Sequence, residues 1–84
     1  MEKAEQYRVT MHNDNVHDFP YIMSSLIRFC DYEPIQAEQS ALIAHTNGKV
    51  NIKHGNWDDM FQLTQILVSL DITATMESYE GNMH

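Results

Sequence analysis

The stretch Met11-His12-Asn13-Asp14-Asn15-Val16-His17-Asp18-Phe19-Pro20-Tyr21 decides the fold. Before it, Tyr7, Val9 and Met11 alternate with Arg8, Thr10 and His12, which is the period of a half-buried strand. Asn13, Asp14 and Asn15 then break the alternation with side chains that bond nearby backbone and favour turns. Beyond Asp18 and Pro20 the period lengthens to about 3.6, because Ile22, Leu26, Phe29 and Cys30 fall on one helical face. A loop rich in side-chain oxygens therefore joins a strand to a helix start, a place where binding groups are held on a rigid frame.

Working outward, proline is comfortable in a first helical turn and pushes the residue before it out of the α region. This predicts Phe19 as the cap residue and Pro20 as the first helical one, with the helix ending at Phe29 or Cys30. Asp31-Tyr32-Glu33-Pro34 repeats the stop-and-start signal, and a second helix follows from Pro34. Its small face is Ala37, Ala41, Ala44 and His45, with Leu42 and Ile43 extending the apolar side. Asn47-Gly48 ends it with a pair that tolerates the left-handed conformation. Val50 and Ile52 alternate in strand two, Lys49 to Lys53, and His54-Gly55-Asn56 turns the chain. Asn56 is a good N-cap for a third helix with Asp58 and Asp59 in its first turn, where the helix dipole favours negative charge. Trp57, Met60, Phe61, Leu63, Leu67 and Leu70 form its expected buried stripe. Ile72, Ala74 and Met76 alternate with Thr73, Thr75 and Glu77 as strand three. The order β-α-α-β-α-β predicts an α+β fold, a small two-layer α/β sandwich with three helices packed on one face of a three-stranded sheet. Residues 1–6 read as a short flexible N-terminal lead, 7–79 as one domain and 80–84 as a flexible tail.

With 84 residues, 43% of them hydrophobic, the chain has room for one small core and enough apolar surface to form it. Five Lys and Arg against twelve Asp and Glu give a formal charge of −7, which leaves no basic footprint for nucleic acid. No run approaches the ~20 apolar residues that cross a bilayer, and the polar opening Met1 to Gln6 lacks the apolar core of a signal peptide. One cysteine excludes an intrachain disulfide and fits a reducing compartment. A cytoplasmic protein is expected, with no membrane and no nucleic-acid partner.

His12, His17, His45, His54 and His84 show no paired metal-ligand spacing, so neither a metal nor another cofactor is expected. Cys30 lies on an apolar stripe, where a free thiol behaves as a small hydrophobe. No nucleophile, base and orienting group come together in the pattern, so enzymatic activity is not expected. His45 stands apart at the end of the small face of helix two. Two readings stay open for it. One is a core histidine with a single backbone partner. In the other, its unprotonated nitrogen joins the acceptors of the Asn13-Asp14-Asn15 loop beside a small apolar cavity, an arrangement suited to an ammonium group carried on a large hydrophobic side chain.

The run from Tyr7 to Asn15, a following helix, and then Ala44-His45-Thr46-Asn47-Gly48-Lys49 together resemble the ClpS family. These adaptors hand N-degron substrates to an AAA+ Clp unfoldase. The family pattern is a strand, Asn-Asp-Asp, a Thr-Pro-Met link into helix one, and a helix two ending in His-x-x-Gly. The spacing from Asn13 to His45 fits it without a gap, and the resemblance runs from Tyr7 to Met76 with a shortening near Leu70 to Ile72.

The resemblance implies that Asn13, Asp14, Asn15 and His45 bind the substrate's α-amine. It implies that His17, Phe19, Ile22, Ala41 and Ala44 line a hydrophobic pocket, Phe19 standing where the family has a gatekeeping Met. Asp58 and Leu63 occupy positions that contact the unfoldase. The implied partners are a Clp-type AAA+ unfoldase, ClpA-like or ClpC-like, and proteins or peptides beginning with Phe, Tyr, Trp or Leu. The sequence departs from the pattern at Asn15, at His17-Asp18-Phe19 with Pro20 displaced, at Ala41 where Met is usual, and at Leu63 where Lys is usual. The alternative is a ClpS-like fold that serves as a protein–protein interaction domain without degron binding. The stalk protein of the large ribosomal subunit carries a domain of similar fold, and fold alone does not settle function.

Overall fold

A computed structural model describes residues 6–13 and 17–79. The elements are β1 (Gln6–His12), α1 (Phe19–Cys30), α2 (Pro34–Asn47), β2 (Lys49–Gly55), α3 (Trp57–Ser69) and β3 (Ala74–Tyr79). The strands form one antiparallel sheet in the order β2-β1-β3. The element order and the three helices on a three-stranded sheet are those expected from the periodicity.

Central β1 sends Val9 and Met11 into the core, at 0% and 1% exposure. Leu26 and Cys30 of α1, Ala37 and Ala44 of α2, Met60, Leu63 and Leu67 of α3, and Ile72 and Ala74 pack against them. Across β1 and β2 the register shifts between Val9, opposite Lys53, and Thr10, opposite Asn51, which leaves Ile52 without a partner. The Tyr32 hydroxyl donates to the Ile52 carbonyl there, so this break in the ladder is tied to the turn between α1 and α2.

Several boundaries differ from the sequence expectation, each for a local reason. Asp18, not Phe19, caps α1: its backbone is extended and its side chain accepts from the Tyr21 N–H at 3.1 Å. A carboxylate satisfies an orphan helix donor and a phenyl ring does not. β2 continues through His54 and Gly55, which pair with Arg8 and Tyr7. β3 starts at Ala74 and reaches Tyr79, because Asp71 turns left-handed (φ 67°) and the Ile72 N–H goes back to the Leu67 carbonyl. Leu42 and Ile43 face outward at 50% and 42% exposure, as do Trp57 and Phe61 at 45% and 40%. The residues of α3 that enter the core, Met60, Leu63, Thr64 and Leu67, follow i, i+3, i+4 and i+7. Phe61 lies off that row and stacks on Trp57 at 4.7 Å instead.

Candidate functional site

The end of β1, the first turn of α1 and the last two turns of α2 meet around a cavity of about 50 Å³. Its floor is apolar and buried: Met11 from β1 with Ala41 and Ala44 from α2. The alanines leave the space, since a larger side chain at either position would fill it. One wall is Phe19 and Ile22, half-buried on α1, and the exposed side chains of Asn13 and His45 stand at the mouth. His12 and His17 complete the lining.

Backbone bonds bring the polar pair together. The Asn13 N–H donates to the Gly48 carbonyl at 2.9 Å, and the His12 N–H donates to Thr73 O at 2.9 Å. Gly48 sits three positions past His45 and is the left-handed C-cap of α2 (φ 94°), a conformation that favours glycine. The chain reversal that ends α2 thus hands its carbonyl to Asn13. His45 meets Phe19 edge to face, with ring centroids 6.0 Å apart and planes at 78°, so these two rings draw the mouth together. On the far side of the α1 start, the His17 ring stacks on Tyr21 at 4.4 Å.

Of the residues singled out from sequence, Asn13, His17, Phe19, Ile22, Ala41, Ala44 and His45 converge on this one cavity. Asp14 and Asn15 lie outside the described residues. Met11 and His12 of β1 line it as well, which the strand alternation does not indicate. The alternation pointed Met11 toward the helices, but nothing in it signalled that the strand ends beneath a cavity.

Asp58 is exposed in the first turn of α3 and does not line the cavity. Leu63, expected as an unfoldase contact, is 6% exposed and packs in the core. Its position, three residues past Met60 and four before Leu67, lies on the inward row of α3.

Among the described residues no group of three or more His, Cys, Asp or Glu is placed to hold a metal ion, and no helix is long and apolar enough to cross a membrane. Cys30 is 1% exposed. Burial pushes its thiol up to about 11, with the nearby Lys53 charge opposing weakly. A thiol held protonated at neutral pH is a poor nucleophile.

A family model described as ATP-dependent Clp protease adaptor protein ClpS matches residues 2–75. No curated protein sequence matches the chain. Among solved structures, Agrobacterium tumefaciens ClpS2 bound to L-phenylalaninamide superposes with a TM-score of 0.79. That match is 14% identical and covers 92% of this chain and 100% of the other, so it establishes a shared fold.

Proposed function

The chain belongs to the ClpS family of ATP-dependent Clp protease adaptors, and from that premise we propose that it binds the free α-amine and hydrophobic side chain of N-degron substrates and docks on a Clp unfoldase in the cytoplasm. The observation that supports this reading is one cavity with polar Asn13 and His45 at its mouth and Met11, Ala41 and Ala44 on its floor. An α-amine has a reference pKa of ~7.7–8.0, so at neutral pH much of it is a cation. Burying that cation unpaired costs several kcal/mol. The Asn13 side-chain oxygen and an unprotonated His45 nitrogen are acceptors for it. The carbonyl end of α2, next to His45, adds a favourable partial charge worth about 0.3–1 kcal/mol. Asp14 and Asn15, adjoining Asn13 in sequence, complete the proposed amine site.

The floor sets selectivity. The cavity of about 50 Å³ is smaller than the ~150 Å³ void that takes up a benzene. A ring therefore enters only when Phe19 turns away from His45, and Ala41 then leaves depth beneath it. A deep slot with a narrow mouth favours Phe, Tyr and Trp over Leu and rejects Val and Ile, whose branch sits beside the backbone. Ala41→Met is expected to reduce binding of Trp first. The solved relative holds L-phenylalaninamide, whose free amine and benzyl group are the chemistry proposed here. Docking on an unfoldase of the ClpA or ClpC type falls to Asp58 and its exposed neighbours on α3.

Fluorescence anisotropy with a Phe-initiated peptide, free and N-acetylated, tests the reading. Acetylation should abolish binding, and Asn13→Ala or His45→Ala should weaken it at least tenfold, about 1.4 kcal/mol. The small volume of the cavity favours a second reading, a ClpS fold used as an interaction domain without degron binding. No affinity for either peptide, or equal affinity for both, selects that reading.

A further inference from the structure

The wall formed by Phe19 and Ile22 is fastened from behind, to the end of a helix that contributes nothing to the cavity. Leu70 is the C-cap of α3, and the helix closes with the Asp71 N–H on Val68 O at 2.9 Å and the Ile72 N–H on Leu67 O at 3.0 Å. This is the Schellman pattern, with left-handed Asp71 in the place where glycine is usual. It satisfies carbonyls inside the last turn and leaves those of Leu70 and Asp71 pointing beyond the helix. Two side chains from the start of α1 take them. The Tyr21 hydroxyl donates to Leu70 O at 2.6 Å, and His17 Nε2 lies 2.9 Å from Asp71 O. A carbonyl only accepts, so Nε2 of His17 carries a hydrogen.

We infer that His17 and Tyr21 are positioning residues for the proposed amine-and-side-chain site. Their stacked rings latch the first turn of α1 to the α3–β3 turn and so fix the distance of Phe19 and Ile22 from the α2 floor. The inference rests on the binding role proposed above. The geometry is economical: His17 is two residues before Phe19, and Tyr21 lies between Phe19 and Ile22, so each donor holds a neighbour of a wall residue. Tyr21 does not line the cavity and acts only through this contact. His17 has a second tie to the same turn, its Nε2 being 3.7 Å from the Asp71 carboxylate, which is 87% exposed and screened by solvent. The directional bond to the backbone carbonyl is the stronger restraint.

The latch separates from a plain structural role, and from direct contact with ligand, by which variants restore it. His17→Leu keeps bulk and removes the donor. His17→Gln places an amide N–H at about the reach of Nε2. Tyr21→Phe keeps the stack and removes the hydroxyl. With a Phe-initiated peptide, His17→Leu is expected to lose at least tenfold in affinity, mostly as faster dissociation, His17→Gln to recover most of it, and Tyr21→Phe to lose three- to fivefold at an unchanged melting temperature. In peptide-free protein, the amides of Tyr21 and Ile22 should exchange at least fivefold faster in His17→Leu and Tyr21→Phe, relative to Ala41 in mid-helix. Ring ¹⁵N shifts of His17 should report the Nε2–H tautomer. An Nδ1–H tautomer, unchanged amide exchange, or loss of binding in His17→Gln equal to that in His17→Leu overturns the latch. A wild-type chain that binds no peptide counts against the proposed function, and the exchange and tautomer measurements then still judge the latch.

Discussion

Cys30 shows how one buried group writes a pH dependence into the fold. The thiolate is the charged form, and desolvation raises the folded-state value from 9.0 to about 11. Between those values the unfolded chain has lost the proton that the folded chain keeps, so stability falls as pH rises. The stabilisation is whole below about pH 9 and gone by about pH 11. At about 1.4 kcal/mol per pH unit, the full loss is about 2–3 kcal/mol. Tyr32 moves in the same direction, raised first by burial, with a hydrogen bond from Ser40 opposing. Thermal melts from pH 8 to 11 should show the decline, and Cys30→Ala should remove most of its slope. That variant also costs about 1–2 kcal/mol at neutral pH through the cavity it leaves. A decline of equal slope in both proteins would assign the effect to Tyr32.

At the scale of elements, all three helices end through the left-handed region, Asp31 after α1 at φ 64° among them, and two of these ends have opposite consequences. Gly48 ends α2 at φ 94° and Asp71 follows α3 at φ 67°. A Cβ added at Gly48 would meet nothing within 4 Å, so Gly48→Ala isolates the backbone strain. It should destabilise by about 1 kcal/mol. It should also disturb the carbonyl that holds Asn13, and with it the mouth of the cavity. Asp71→Gly should do the reverse and stabilise by about 0.5–1 kcal/mol, since it relieves the left-handed side chain and removes an anion from the negative end of α3. The exposed carboxylate's attraction to His17 is too screened to offset this. Urea titrations of the two variants check both signs.

Across the whole molecule, the cavity and the exposed N-terminal turn of α3 are separate surfaces. The cavity draws on β1, α1 and α2, and Asp58 stands on a helix that gives it no lining residue. Under the proposed function the two sites act independently. Asp58→Ala should weaken docking on the unfoldase, read as slower turnover of a Phe-initiated reporter, while peptide affinity stays within twofold of the parent. A parallel loss of peptide affinity would show that the N-terminal turn of α3 communicates with the cavity. The core beneath both sites is compact, with Val9 and Leu67 each at 0% exposure, so either surface can be altered without reaching it.

The order of elements was legible from the chain because it rests on local chemistry. The change of period at Asn13-Asp14-Asn15, the prolines at 20 and 34, Gly48 after α2 and Asn56 before α3 each act on a few neighbouring residues. The candidate site was legible in part, since Asn13, Phe19, Ala41 and His45 were singled out and share one cavity. What the sequence left open is which apolar residues the core accepts. Trp57, Phe61, Leu42 and Ile43 are as apolar as the residues that are buried. A helix of period 3.6 turns only one stripe toward the sheet, and where that stripe falls depends on how the helix rolls against its neighbours. The same holds for Leu63, carried inward on α3, and for Met11 and His12, which became lining only because α1 and α2 close over the end of β1. The bonds from His17 and Tyr21 to the α3–β3 turn join positions 54 and 49 residues apart. No local pattern marks such a pair, because its geometry exists only once three helices have packed on one sheet.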